Sequence, residues 1–393
     1  MGADASKTSI LPPRKPGEAS EFYWACRNGN VETVRKMLPN MTYEQVNQIE
    51  PNGSTALHAA CFYNHPQVVH LLLASGCSRT TVNFNGNTAY QEASDNQIRA
   101  LFNRPTTNRF IDEHLTDSFI LLTANGEKVV DEVDIPDDWV KGHTSADAAY
   151  GAKAMLALAN SSGPLEKIVK NQVEVDSTKN LSALVSKAVP RVHKEYTTMR
   201  NLLNKFFSKT SIQNLLTMYT LETPFYSVLH NEAVSYTSLL YIHLHQLQNR
   251  AYQGRTYRGA KMTQNDIGAY RWALNRPGYV LETRKLQSTS LNKSMAQQFA
   301  AIQNSAQTYN LYSVLLTLDF PQKCPTAINL NKISETLPAL SAFEHEEEIL
   351  VLPFTLFIVR EIKIDSKSNQ YRITLTNVPT PKSSVSAAVK HIE

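Results

Sequence analysis

"NGSTALHAACFYNHPQVVHLLLASG" occupies residues 52–76, and "NGNTAYQEASDNQIRALF" begins 33 positions later, at Asn85. At that offset Gly53 falls on Gly86, Thr55 on Thr88 and Ala60 on Ala93. Upstream, "FYWACRNGNVETVRKML" (22–38) aligns with "LHAACFYNHPQVVHLLL" (57–73) across a slightly longer connection. A unit this short cannot bury its apolar face alone, so successive units must stack. The residues suit stacking. Small Ala59 and Ala60 let neighbouring helices approach closely. Leu71, Leu72 and Leu73, with Val68 and Val69, fill the space between units, and Gly53 and Gly86 serve turns.

The G-x-T-A-L-H-x-A wording and the two short helices per unit resemble the ankyrin repeat. Two repeats are recognisable and a third, C-terminal unit is decayed; the array is placed at 19–102. Residues 1–18, with "LPPRKPGE" and no periodicity, read as a flexible arm. "NRPTTNR" (103–109) is polar, contains a proline and reads as a linker. A hairpin is expected at "ANGEKVV" (124–130).

The chain has 393 residues, enough for two or three domains with real cores, and 42% of them are hydrophobic. A net charge of +4 is small for this length and moves nucleic acid down the order of partners. The four cysteines (Cys26, Cys61, Cys77 and Cys324) have no metal-ligand spacing and no disulfide pattern, which suits a reducing compartment. No apolar run reaches the roughly 18 residues of a membrane span, and a signal peptide is not expected. "MGADAS" places Gly2 and Ser6 where N-myristoylation wants them, so a weak acyl anchor is a candidate. The expected location is cytoplasmic, with possible membrane contact.

From Ser145 to about Leu247 the apolar spacing is helical. After Gln253 the texture changes. "TYRGAKM", "LQSTSL", "YSVLLTLDF", "ILVLPF", "FIVREIKI" and "YRITLTNV" are short, β-rich segments, with helical stretches at about 263–275 and 292–303. The fold class expected is multidomain: an α-helical repeat module followed by an α+β domain at 110–378, with a helical lobe and a two-sheet β core. A flexible tail is expected at 379–393.

Three motifs follow one another in the β-rich part. "TYRGA" carries Arg258, "STS" is Ser288–Ser290, and "FEHEEEILVLPF" (343–354) sets four carboxylates before an apolar run. This order resembles the Arg–Ser–Glu-x-Glu signature of arginine-specific mono-ADP-ribosyltransferases, whose helical stretch ahead of the catalytic sheet resembles "LLTMYTLETPFYSVLHNEA" (215–233). The resemblance covers roughly residues 110–378 and implies transfer of ADP-ribose from NAD, as co-substrate, to arginine, with release of nicotinamide. Unlike the vertebrate ecto-enzymes, the chain is expected to have no secretion signal and no disulfide framework among its four cysteines.

The resemblance also implies roles. Glu348 binds the ribose 2′-hydroxyl and stabilises developing positive charge, as paired carboxylates do in glycosidases. Glu346 orients and deprotonates the acceptor guanidinium, whose pKa lies above about 12. An extended segment would put both on one face. Arg258 offers a fork of donors to the NAD pyrophosphate. Ser288 fixes the Glu348 rotamer, with Thr289 beside it, and Gly259 lets the backbone approach the cofactor. Phe299 stacks on nicotinamide. "LPALSA" (337–342) matches the acceptor-positioning loop, with Phe343 as an aromatic contact. Glu344 and Glu347 read as solvated.

No metal is expected. His243 and His245 are two apart, so they diverge on a helix. No phosphate-cradling glycine loop is present either. The expected partners are a protein carrying an accessible arginine and a protein bound by the repeats. Two other readings stay open: an NAD glycohydrolase using the same cleft, and an ankyrin adaptor with an inactive transferase fold.

Overall fold

Thr42, Thr55 and Thr88 each start a short helix with a capping box: the threonine side chain accepts from the backbone three residues on, and Gln45, His58 or Gln91 answers it. Such boxes satisfy amide donors that a helix start leaves open. The computed structural model describes residues 18–104, 140–160, 163–274, 276–300, 311–365 and 370–381. Residues 1–17 with Gly2, most of the 103–109 linker, the expected hairpin at 124–130 and nearly all of the C-terminal tail lie outside the described residues.

The described residues fall into two units. The first draws on the described residues within 18–104, 185–224 and 331–345; the second draws on those within 140–184, 225–330 and 346–381. The sequence reading placed one boundary at the linker, but the chain returns to the first unit twice. Periodicity reveals that a helix has an apolar face. It does not reveal which surface covers that face.

In the first unit, helices pair within each repeat and stack on the next. Val34, Leu57, Ala60, Val68, Val69, Leu72, Ala93 and Ile98 are fully buried between them. Gly53 and Gly86 have positive φ, at 82° and 69°, which glycine adopts without steric cost. Helices Tyr196–Lys209 and Ile212–Thr220 join through Thr210 in the left-handed region. They bury Met199, Leu203, Ile212, Leu215 and Leu216. The Thr198 hydroxyl donates to the Gly76 carbonyl at 3.3 Å.

The second unit is built on eight strands: β1 Val140–His143, β2 Ala251–Met262, β3 Val280–Thr283, β4 Gln287–Ser290, β5 Tyr312–Asn329, β6 Glu348–Val351, β7 Leu356–Asp365 and β8 Gln370–Val378. Their order is β1-β3-β7-β8-β5-β2-β4-β6. The long β5 belongs to both halves. Residues 314–319 run parallel to β8, while residues 327–329 pair with β6. The strands therefore hydrogen-bond as one sheet, which β5–β6 pairing closes at one end. That closure brings β2, β4 and β6 together. "ILVLPF" supplies β6 as expected, and Ile349, Leu350, Val351 and Leu352 are fully buried. Helices Gln264–Leu274 and Lys293–Ala300 form where helical spacing placed them. No described helix is long and apolar enough to cross a membrane.

Candidate active site

β4 lies antiparallel between β2 and β6. Its register pairs Ser290 with Glu348, Thr289 with Ile349 and Ser288 with Leu350, while Tyr257 of β2 pairs with Ser290. Four residues from three separate motifs thereby line one pocket: Arg258, Ser288, Glu346 and Glu348. All four residues are at least 96% buried. Arg258 Nη1 donates to the Ser288 carbonyl at 2.8 Å, and the Ser288 hydroxyl donates to Glu348 Oε1 at 2.5 Å. A buried carboxylate needs such donors, and this one is held by its neighbour across the ladder.

Glu346 reaches the pocket by a route that differs from the expected alternation. It ends a 3-10 turn, Glu344–Glu346, rather than lying in a strand. Glu347 then takes φ of +48°, and β6 begins at Glu348. A left-handed residue thus separates the two carboxylates. Two contacts from β4 and its exit pin this bend: the Ser290 hydroxyl donates to the Glu346 carbonyl at 2.7 Å, and the Leu291 amide donates to the Glu347 carbonyl at 3.0 Å. Glu347 itself is exposed, as expected.

Thr289 lines the pocket, and its hydroxyl donates to the Ile349 carbonyl at 2.7 Å, which ties the two strands. Phe299 lines the same pocket from helix Lys293–Ala300, half-buried. Asn292 starts that helix, its side chain accepting from the amides of Ser294 and Met295.

Gly259 lines the same pocket, and its missing side chain also has a packing role. A Cβ there would sit 1.9 Å from the Ala296 carbonyl oxygen and 2.5 Å from the Ala300 amide. The space beside it is filled by the helix backbone, so this glycine serves close packing of β2 against the helix. Phe343 is placed elsewhere. It is not among the pocket-lining residues; it is buried in the first unit beneath Arg104 and Arg79, whose guanidinium carbons lie 3.7 and 4.9 Å from its ring centroid. Glu344 is not solvated: Thr88 and Gln91 donate to its carboxylate.

Tyr257 and Ser290 also line the pocket, and neither had been given a role. Ser290 was legible as the last letter of "STS". Tyr257 could be found only through strand pairing. His243 is the residue after helix Val234–Ile242, and its Nε2 lies 3.1 Å from Glu174. Among the described residues no three His, Cys, Asp or Glu side chains group as a metal site would need.

A guanidinium, hydroxyls, an aromatic ring and two carboxylates line this one pocket, a set able to hold an anion, hydroxyl groups, a ring and a cation.

A family model described as ankyrin repeats matches residues 22–105 in three copies. No curated protein matches the chain. Among solved structures, it is similar to the ADP-ribosyltransferase HopU1 of Pseudomonas syringae, at 17% identity and TM-score 0.34 over 46% of this chain and 87% of that one. It is also similar to the Vis toxin, an ADP-ribosyltransferase from Vibrio splendidus, at 19% identity and TM-score 0.27 over 58% and 95%. A third is Exoenzyme S from Pseudomonas aeruginosa, solved with Carba-NAD, at 17% identity and TM-score 0.28 over 50% and 88%.

Proposed function

We propose that the chain transfers ADP-ribose from NAD to arginine side chains of target proteins. The observation that carries this reading is the convergence of Arg258, Ser288, Glu346 and Glu348 on one pocket, with Ser288 bonded to Glu348. NAD bound there supplies an electrophilic ribose carbon, whose bond to nicotinamide breaks with the electron pair leaving on nicotinamide.

Each residue then has a task. Arg258 has five donors in a rigid fork and gives one to Ser288; others orient the pyrophosphate. Phe299 offers a face for the nicotinamide ring. Ser288 holds Glu348 so that its carboxylate opposes the positive charge as it develops. Preorganised charge is effective because it needs no rearrangement when the bond breaks. Glu346 takes the proton from the incoming guanidinium, whose nitrogen then forms the new bond to ribose. Repulsion between the two carboxylates is offset by the two cationic groups they serve.

The repeats recruit a protein partner or substrate. Trp24, Phe62, Tyr63 and Phe84 are exposed on them, which suits a protein contact. Four buried free cysteines suit a reducing, cytoplasmic location.

The test is mass spectrometry of proteins incubated with NAD, with Glu348→Gln and Glu346→Gln beside the native chain. The expected result is ADP-ribosylated arginine for the native chain only. Nicotinamide release should persist in Glu346→Gln and vanish in Glu348→Gln. Modification of cysteine, serine or glutamate would overturn the arginine assignment. Nicotinamide release without transfer to any acceptor would establish a hydrolase instead. Loss of neither location nor target choice on deleting residues 1–103 would remove the recruiting role.

A further inference from the structure

We propose that Trp24, Arg27, Phe62 and Tyr63 form a docking patch on the first two repeats, and that its occupant is an acidic residue flanked by apolar ones on a partner protein. The proposal rests on the recruiting role given to the repeats above.

Two aromatic rings clamp one guanidinium. The Arg27 guanidinium carbon lies 5.0 Å from the Trp24 ring centroid and 4.3 Å from that of Tyr63. Both distances fall within the reach of about 6 Å of a cation–π contact. Arg27 Nη2 also donates to the Tyr63 hydroxyl at 2.8 Å. Phe62 continues the surface, its ring centroid 5.1 Å from that of Tyr63. None of these rings is buried: Trp24 is 45% exposed, Phe62 59% and Tyr63 42%. A lone exposed apolar side chain is ordinary, whereas a contiguous group marks a contact surface. Trp, Tyr and Arg are also the side chains on which binding energy concentrates at protein interfaces.

The patch is built before any partner arrives. Trp24 and Arg27 lie three apart on helix Glu21–Arg27, so they share a face. Phe22, Tyr23, Ala25 and Cys26 of the same helix are buried and hold it in the stack. Phe62 ends helix Ala56–Phe62 of the next repeat, and Tyr63 follows it. The Arg27 carbonyl accepts from His65 Nε2 at 2.8 Å. Gly29, at φ of +69°, makes room for that histidine, since an added Cβ would lie 2.5 Å from its Nδ1. The second repeat thus fixes both the backbone and the side chain of Arg27. A guanidinium already ordered loses less freedom on binding.

Charge selects the occupant. Among the described residues no carboxylate forms an ion pair with Arg27. Its fork gives one donor to Tyr63, and other donors remain for a carboxylate. The patch carries a single guanidinium, which does not suit a polyanion held through several phosphate contacts. The rings around it suit aliphatic or aromatic neighbours. An Asp or Glu between apolar residues answers both features.

The test pans phage-displayed random peptides on the full-length chain, with the double variant Trp24→Ala, Arg27→Met as counter-selection. Recovered peptides should carry Asp or Glu beside aliphatic or aromatic residues. A synthetic peptide of recovered sequence is then titrated against single variants, with thermal unfolding as the check that each is folded. Arg27→Met keeps the stem and loses the charge, and Trp24→Ala removes one wall. Each should weaken binding about 10-fold or more. Arg27→Lys should not restore affinity, because it lacks the fork. Replacing the acidic residue of the peptide by its amide should weaken binding as Arg27→Met does, and both changes together should cost no more than either.

Peptides without an acidic residue, equal binding by Arg27→Met, or no peptide that tells the native chain from the double variant would overturn the proposal. So would sedimentation with phosphatidylserine vesicles that the double variant loses, which would assign the patch to a membrane surface. Deleting residues 1–103 separates the two layers. If target choice and location stay unchanged, the recruiting role fails and the proposal with it. If they change while Arg27→Met binds peptide like the native chain, only the patch assignment fails.

Discussion

The Ser288 hydroxyl donates a 2.5 Å hydrogen bond to Glu348 Oε1 from 60 residues away in the chain. The partner strands β4 and β6 are themselves locked by four register pairs, so neither side chain can drift from the other. Ser288→Ala leaves the backbone ladder intact and removes one donor from a buried carboxylate. A hydrogen bond to a charged group contributes about 1.5–3 kcal/mol, so nicotinamide release at saturating NAD should fall about 10- to 150-fold. The KM for NAD should move much less, and full activity in this variant would show that Ser288 does not orient Glu348.

Gly259→Ala should destabilise the second unit. The new methyl would meet the backbone of Ala296 and Ala300, which cannot rotate away. Overpacking of this kind costs about 1–3 kcal/mol. A fall in thermal midpoint together with weakened NAD binding is expected, because the displaced helix carries Phe299. A variant as stable as the native chain would remove the packing role assigned to this glycine.

Glu347 contributes through its backbone. Its φ of +48° is accessible to glycine and asparagine and closed to proline. Glu347→Gly and Glu347→Asn should retain transfer to an arginine analogue, whereas Glu347→Pro should abolish it. If Glu347→Asn proved as inactive as Glu348→Gln, the carboxylate of Glu347 would have to enter the chemistry.

His58 makes the repeats sensitive to acid. Burial lowers its pKa below 6.5, and the Asn87 carbonyl and Glu92 only partly counter this. As pH falls through 6.5 the unfolded chain takes up a proton that the folded histidine resists. Stability of the first unit should therefore decrease from that pH downward, until the folded histidine also titrates. His58→Gln copies the residue found in the other two capping boxes, at Gln45 and Gln91. Urea unfolding at pH 7.5 and 5.5 should show a smaller acid loss in this variant; an equal loss would place the sensitivity elsewhere.

The repeat array could be read from the sequence because its signals are local. A threonine three residues before its capping partner, a glycine at a positive-φ turn and apolar residues at helical spacing act within one or two turns of chain. The same holds for β6, where a short apolar run after a charged stretch reads as a buried strand. The order of the Arg, Ser and Glu motifs carries the family resemblance, and Arg258, Ser288, Glu346 and Glu348 line one pocket.

Long-range packing decided what local signals leave open. Four nearby carboxylates look alike in "FEHEEEILVLPF", yet Glu344 meets Thr88 across 256 positions, Glu347 is exposed, and Glu346 and Glu348 enter the pocket. Strand alternation was expected to put Glu346 and Glu348 on one face, but Glu346 lies in a 3-10 turn and a left-handed residue separates the two, although both line the pocket. Phe343 was expected as an aromatic contact to the acceptor, whereas the structure buries it under two arginines; Gly259 lines the pocket and also packs against a helix. The sequence determined which residues were available and what backbone each could adopt. Only the tertiary structure decided which side chains meet, because a carboxylate's environment is set by groups that folding brings to it from distant parts of the chain.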